Sequence, residues 1–304
     1  MEIGTIKKNR KQIILRLSGG LGNQLWQLAY AVQIKRKFKM EEILLETSSY
    51  QKDIYRKFEL DSYDLPEYIK KCPNKKMPIF NIICIIYSKV RGIVFLHTKK
   101  YVNNKIKFLY SCGFFVTHNI PLEIEKTLLN NIYMYGYFQN YNNIKNIIDD
   151  LKKIIVPQTK KLGFVYKKYL KLIKESSKIC VAISVRCGED YKKLGWDLCD
   201  FDYFENSMQL FENANFLIFS DDVEEARHMF CNKKNVIFVP QLTPIEQLEL
   251  MRKCSGFILS NSTFSYWGAL LADKSNVQIV FPKQWFPHMQ TKDAGILFGN
   301  YTLV

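Results

Sequence analysis

Residues 179–185, ICVAISV, form an unbroken run of apolar or small residues, and Arg186 follows at once within SVRCGEDY (184–191). A strand with one wet face alternates polar and apolar residues. A strand-length run that stays apolar belongs in a sheet buried on both faces. Working outward, the same kind of run recurs as NFLIF (215–219), NVIFV (235–239), GFILS (256–260) and VQIVF (277–281). Between these runs lie segments of helical pattern, 203–213, 222–231, 244–253 and 264–273. Thr243 before Pro244 has the form of an N-cap followed by proline at the first helical position. Apolar strands alternating with helices predict a doubly wound parallel sheet over 177–285.

Toward the N-terminus, 1–11 reads as a loose tail. Gln12–Leu17 reads as a strand, SGGLGNQ (18–24) as a glycine-rich loop, 23–38 as a helix and Glu42–Glu46 as a second strand. The stretch 47–130 is basic, aromatic and irregular in pattern. YMYGYFQNYNNI (133–144) then predicts a strand, a turn and the start of a helix ending near Ile155, and Leu162–Ser176 predicts another helix. The expected organisation is two α/β domains, 1–176 and 177–304, facing across a cleft.

The 304 residues are 47% hydrophobic and 24% charged, which excludes wholesale disorder. The formal charge of +15, from 44 Lys+Arg against 29 Asp+Glu, suits an anionic ligand or an anionic surface. TKKYVNNKIKFL (98–109) interleaves basic and aromatic residues but contains no nucleic-acid-binding module, so no nucleic-acid partner is expected. None of the eight cysteines makes a C-x-x-C pair, and the four histidines show no ligand spacing, so no metal site is expected. Buried thiols and the lack of a signal-peptide core or stop-transfer span point to the cytoplasm. The apolar stretch Met77–Tyr87 is too short to cross a bilayer. It is expected to be a buried helix, the alternative being a basic segment on the inner face of an anionic membrane.

Ligands of open α/β sheets bind beyond the carboxyl ends of the strands. Arg186 follows the 179–185 run, Ser220-Asp221-Asp222 follows 215–219, and Asn261-Ser262-Thr263 follows 256–260 and leads into a helix. An arginine that can fork two oxygens, an acidic pair for hydroxyls or a base edge, and a hydroxyl-rich helix start together suit a nucleoside diphosphate. Each residue has a plainer use: Ser262 or Thr263 as an N-cap, Asp221 or Asp222 as the cap of 222–231, Arg186 in a surface ion pair. SGGLGNQ lacks the lysine and the spacing of a self-sufficient phosphate loop. DFD (200–202) follows no apolar strand and is read as a helix-start acidic pair.

These residues fall into blocks that resemble the α-1,2-fucosyltransferases of bacteria and animals. GGLGNQLWQLAYA (19–31), YRKFEL (55–60), YGYFQNY (135–141), FSDD (219–222), LMRKCSGFILSNSTFSYWGALL (250–271) and FPKQW (281–285) stand in the family's order and span about 12–286. The resemblance implies a GT-B type fold of two Rossmann-like domains, no metal and no cofactor, and transfer of fucose from GDP-fucose to a galactose-terminated glycan acceptor. It implies that Arg186 holds the donor pyrophosphate and that Asp222, or Asp221, faces the nucleoside. Asn261, Ser262, Thr263 and Phe264 match the phosphate-binding helix start. Gly20, Gly22, Asn23 and Gln24 match an N-domain loop closing over phosphates and sugar. The family usually carries H-x-R-R-x-D where this chain has Ser184, Arg186 and Cys187. Ser184 replaces the histidine and Cys187 the second arginine, and Asp190 or Glu189 stands for the family acid.

Overall fold

The computed structural model describes residues 11–51, 53, 55–72, 77–98, 107–117, 125–128, 130–196 and 198–304, without the side chains of 91–98, 107, 190 and 194. The chain divides into two compact units. The first comprises Met1–Gly19, Trp26–Phe58 and Leu65–Gln139, the second Gly20–Leu25, Glu59–Asp64 and Asn140–Val304. Each is built on a parallel sheet, and the fold is of the GT-B type.

The first unit contains β1 (Gln12–Arg16), most of α1 (Leu21–Phe38), β2 (Glu42–Glu46), β3 (Ile69–Lys71), α2 (Pro78–Thr98), α3 (Lys107–Ser111), β4 (Phe114–Val116) and β5 (Ile132–Tyr135). Its sheet has the order β3-β2-β1-β5-β4, parallel throughout. The central strand buries Ile13, Ile14 and Leu15 completely. The stretch 47–130, which looked irregular, thus supplies two strands of this sheet and a 21-residue helix. Met77, just before α2, and Phe80, Cys84 and Tyr87 of α2 pack on Ile14, Leu44 and Val116. This corrects the expectation of a buried helix in one respect: the opposite face of α2, with Ile79, Ile82, Ile85 and Ile86, is exposed. Because both faces are apolar, the 3.6-residue contrast that marks a half-buried helix is missing from the sequence. After β5 the backbone at Gly136 takes φ 150°, and a Cβ there would lie 2.0 Å from the Thr117 carbonyl oxygen. Only glycine fits that approach.

The second unit contains the first turn of α1, then α4 (Ile148–Ile154), α5 (Phe164–Glu175), β6 (Ile179–Val185), α6 (Glu189–Leu194), α7 (Phe201–Met208), β7 (Ala214–Ser220) and α8 (Val223–Met229). It continues with β8 (Val236–Phe238), α9 (Pro244–Arg252), β9 (Gly256–Ile258), α10 (Thr263–Leu270), β10 (Gln278–Phe281), β11 (Gln284–Phe286), β12 (Met289–Gln290) and β13 (Asn300–Leu303). The six-stranded sheet runs β13-β10-β9-β6-β7-β8, all parallel, and β11 and β12 form a separate antiparallel pair. All five apolar runs from 179 to 281 are strands of this sheet. One core cluster joins Val181, Ile183, Val185, Phe216 and Ile218 to Phe204 of α7 and Phe230. The edge strand β13 lies beyond the last apolar run; its sequence, NYTL, is short and half polar, so nothing in it announced a strand.

Helix starts follow the expected chemistry. Thr243 and Glu246 make a reciprocal capping box with Pro244 at the first helical position. Asp200 caps α7 by accepting the Tyr203 N–H at 2.9 Å, so the acidic pair of DFD does open a helix. All eight cysteines are free. Among the described residues, no helix is long and apolar enough to cross a membrane.

Candidate active site

Strands β9, β6 and β7 are neighbours in the sheet, and their carboxyl ends deliver three of the singled-out segments side by side. Val185 pairs with Ser220 in register, so Arg186 and Asp221 leave the sheet at the same level. Arg186 Nη1 lies 3.4 Å from Asp221 Oδ2, and both side chains are about four-fifths buried. The other carboxylate oxygen of Asp221 accepts the Cys187 N–H at 3.1 Å, which ties the loop after β6 to the loop after β7. The Arg186 guanidinium sits over the Tyr191 ring, 4.0 Å from its centroid. A cation so held between a carboxylate and an aromatic face keeps its direction before any ligand arrives.

Ser184 is buried, and its hydroxyl meets that of Ser260 at 3.1 Å, bridging β6 to the end of the β9 segment. Cys187 also points inward. Its Sγ lies 3.4 Å from the Ser220 hydroxyl and 3.5 Å from the Asp222 carbonyl oxygen, within the core of the second unit. Burial pushes its thiol above the ordinary value, outweighing the Ser220 hydrogen bond, so it stays protonated. Asp222 caps α8, accepting the Glu225 N–H at 3.0 Å. Of the two aspartates, Asp221 is therefore the one that faces Arg186.

Ser262 is the N-cap of α10 and accepts the Phe264 N–H at 3.3 Å. Asn261 is buried and donates to the Trp196 carbonyl at 3.0 Å. The first turn of α1 lies against this helix start. Thr263 donates its hydroxyl hydrogen to Asn23 Oδ1 at 3.0 Å. A Cβ at Gly22 would come within 2.5 Å of the Phe264 nitrogen and the Thr263 carbonyl carbon, so only glycine permits this approach.

The structure places these residues differently from the expected loop. The helix begins at Leu21, so Gly22, Asn23 and Gln24 are its first turn, and Gly20–Leu25 belong to the second unit. Gly20 ends the loop, its carbonyl accepting the Asn23 and Gln24 N–H groups at 3.0 Å each. Gln24 is fully buried and accepts the Glu59 N–H at 2.9 Å, which holds the 59–64 segment. Glu189 opens α6 exposed to solvent, 3.1 Å from Lys193. The backbone of Asp190 lies in α6, but its side chain is outside the described residues. Sequence reasoning passed over Tyr191, Trp196 and Ser260. Tyr191 stood in the quoted SVRCGEDY, but a ring over an arginine five residues back is signalled only once α6 is known to turn there.

An arginine, a carboxylate and a capped helix start at the ends of three adjacent parallel strands form an arrangement that open α/β sheets use for anionic, phosphate-bearing ligands. The sequence profile described as Glycosyl transferase family 11 matches residues 12–297, and the chain belongs to that family. It is a glycosyltransferase. It is 27% identical over 294 residues to the O-antigen biosynthesis glycosyltransferase WbnK of Escherichia coli, covering 89% of this chain and 93% of that protein. It is 26% identical over 290 residues to an alpha-1,2-colitosyltransferase of Escherichia coli, covering 90% and 92%. Among solved structures, the fucosyltransferase NodZ from Bradyrhizobium has the same fold, with a TM-score of 0.55 at 14% identity over 87% of this chain and 94% of that one. NodZ has also been crystallised with GDP, as an α-1,6-fucosyltransferase.

Proposed function

We propose that the chain transfers L-fucose from GDP-β-L-fucose to O2 of a terminal galactose, with inversion to an α-linkage and without a metal. The observation that carries this reading is the meeting of Arg186, Asp221 and the Ser262–Phe264 helix start on neighbouring strand ends. In the proposed reaction the acceptor hydroxyl attacks the anomeric carbon, the bond from that carbon to the diphosphate oxygen breaks, and GDP leaves with the electron pair. The departing diphosphate gains negative charge. Arg186 and the α10 start, preorganised before the reaction, stabilise that charge at no cost in reorganisation. Asp221 faces the nucleoside while orienting Arg186. Asp190 takes the acceptor proton, with Glu189 the second candidate. The family, the GDP-bound NodZ neighbour and a relative named for an α-1,2 transfer support the donor and the linkage.

The colitosyltransferase relative favours one second reading, transfer of a different GDP-linked sugar by the same residues. One assay separates the two. The protein is incubated with lactose and either GDP-fucose or GDP-colitose, and GDP and oligosaccharide are quantified. A 2′-fucosylated trisaccharide formed with equimolar GDP supports the proposal. Product only with the other donor transfers the reading to that sugar. GDP binding without product from any galactoside would leave a sugar-nucleotide-binding protein that has lost catalysis.

A further inference from the structure

Helix α2 buries one side and leaves the other uncovered. Met77, Phe80, Cys84 and Tyr87 fill the core of the first unit. On the opposite side Ile79 is 66% exposed, Ile82 56%, Ile85 57%, Ile86 56% and Val90 44%. At 100° per residue these five β-branched side chains share one stripe. An isolated exposed isoleucine needs no explanation, but a stripe of five in under four turns does.

The charges around the stripe select its partner. The sequence of α2, PIFNIICIIYSKVRGIVFLHT, has no acidic residue, and its charged residues are Lys89 and Arg91. Lys89 lies within the exposed stripe, exposed itself, on a stem long enough to lift its ammonium to a layer of phosphates while the isoleucines sink below. The whole chain carries +15. Two copies docked through this face would bring two cationic molecules together, with no acidic residue on α2 to pair with Lys89. An acidic lipid surface offers what both features need, apolar depth for the isoleucines and negative headgroups for the lysine. We infer that the exposed face of α2 docks the protein on an anionic lipid bilayer, lying in the headgroup plane.

The test is co-sedimentation of the full chain with phosphatidylcholine vesicles, with and without phosphatidylglycerol, beside sedimentation velocity without lipid. The expected result is a monomer that binds anionic vesicles, binds neutral ones weakly, and is released by salt. Ile82→Asp combined with Ile86→Asp should lower vesicle affinity by about tenfold or more, since affinity follows the apolar area inserted. Both side chains face solvent, so circular dichroism and sugar transfer to a soluble acceptor should stay unchanged. Phe164→Ser, at an 83% exposed site on α5, should leave vesicle binding intact. Four results would overturn the inference: no binding to anionic vesicles, equal binding to neutral ones, undiminished binding by the double variant, or equal loss with Phe164→Ser. A lipid-free dimer that the double variant dissociates would assign the stripe to a second copy instead.

Discussion

At Gly22 a missing side chain does the positioning. The first turn of α1 approaches the start of α10 so closely that a methyl group would overlap backbone atoms, which cannot swing away as a side chain end can. Gly22→Ala should force the two helix starts apart, destabilise the second unit by about 1–3 kcal/mol and lower turnover more than that loss of stability explains. Thermal unfolding beside initial-rate kinetics checks both. Cys187 makes the opposite point. By the resemblance it would stand where the family carries an arginine, yet its side chain lies in the core beside Ser220. Restoring the charge by Cys187→Arg should therefore not speed the reaction. It should bury a guanidinium among Val185, Phe204 and Phe216 and lower the melting temperature, the cost of an uncompensated buried charge being several kcal/mol. A faster, stable variant would show that the loop after β6 can turn this residue outward.

At the scale of elements, α9 shows how far local chemistry reaches. Burial opposes ionisation of Glu246, but hydrogen bonds from the Thr243 hydroxyl and from the Gly163 and Thr243 N–H groups outweigh it, and its pKa is lowered. Thr243→Ala should cost about 1 kcal/mol near neutral pH. Because the folded-state pKa lies below the ordinary value of 4.5, this contribution is fully present above that value and is lost as pH falls through the folded pKa. The difference between wild type and variant, measured by urea unfolding, should shrink in acid. This cap was legible because Thr243, Pro244 and Glu246 stand within four residues and the capping box needs only one turn of helix; the Gly163 N–H that Glu246 also accepts is 83 residues away and was not legible. The β6, β7 and β9 runs were legible for a related reason, since a two-sided burial writes itself on every residue. Helix α2 was legible only in part: its burial depends on which face the sheet takes, and its residues are apolar on both. The first turn of α1 was misplaced because the spacing of Gly19, Gly20 and Gly22 suits a loop as well as a helix start pressed on backbone. Tyr191 over Arg186 was invisible because it depends on where α6 turns.

For the molecule as a whole, the second unit gathers every described residue of the candidate site, from Gly22 and Asn23 to Arg186, Asp221 and Thr263. A nucleotide bound there stabilises the folded state by mass action. GDP at about 100-fold excess over its Kd should add about 2.7 kcal/mol. The melting temperature should rise with GDP concentration, and more than with the same concentration of UDP. The gain should fall away in Arg186→Ala. The charge of +15 adds a long-range pull on such anions that salt weakens.

If Arg186 and the α10 start hold the diphosphate of a GDP-sugar, removing the guanidinium must weaken GDP binding. Calorimetric titration of GDP into the wild-type protein and into Arg186→Ala measures this, with circular dichroism confirming that the variant is folded. One GDP per chain is expected for the wild type, and affinity lower by about tenfold or more for the variant, as loss of a charge-assisted hydrogen-bonding partner requires. Equal GDP affinity in the folded variant, or no GDP binding by the wild type, would contradict this role of Arg186.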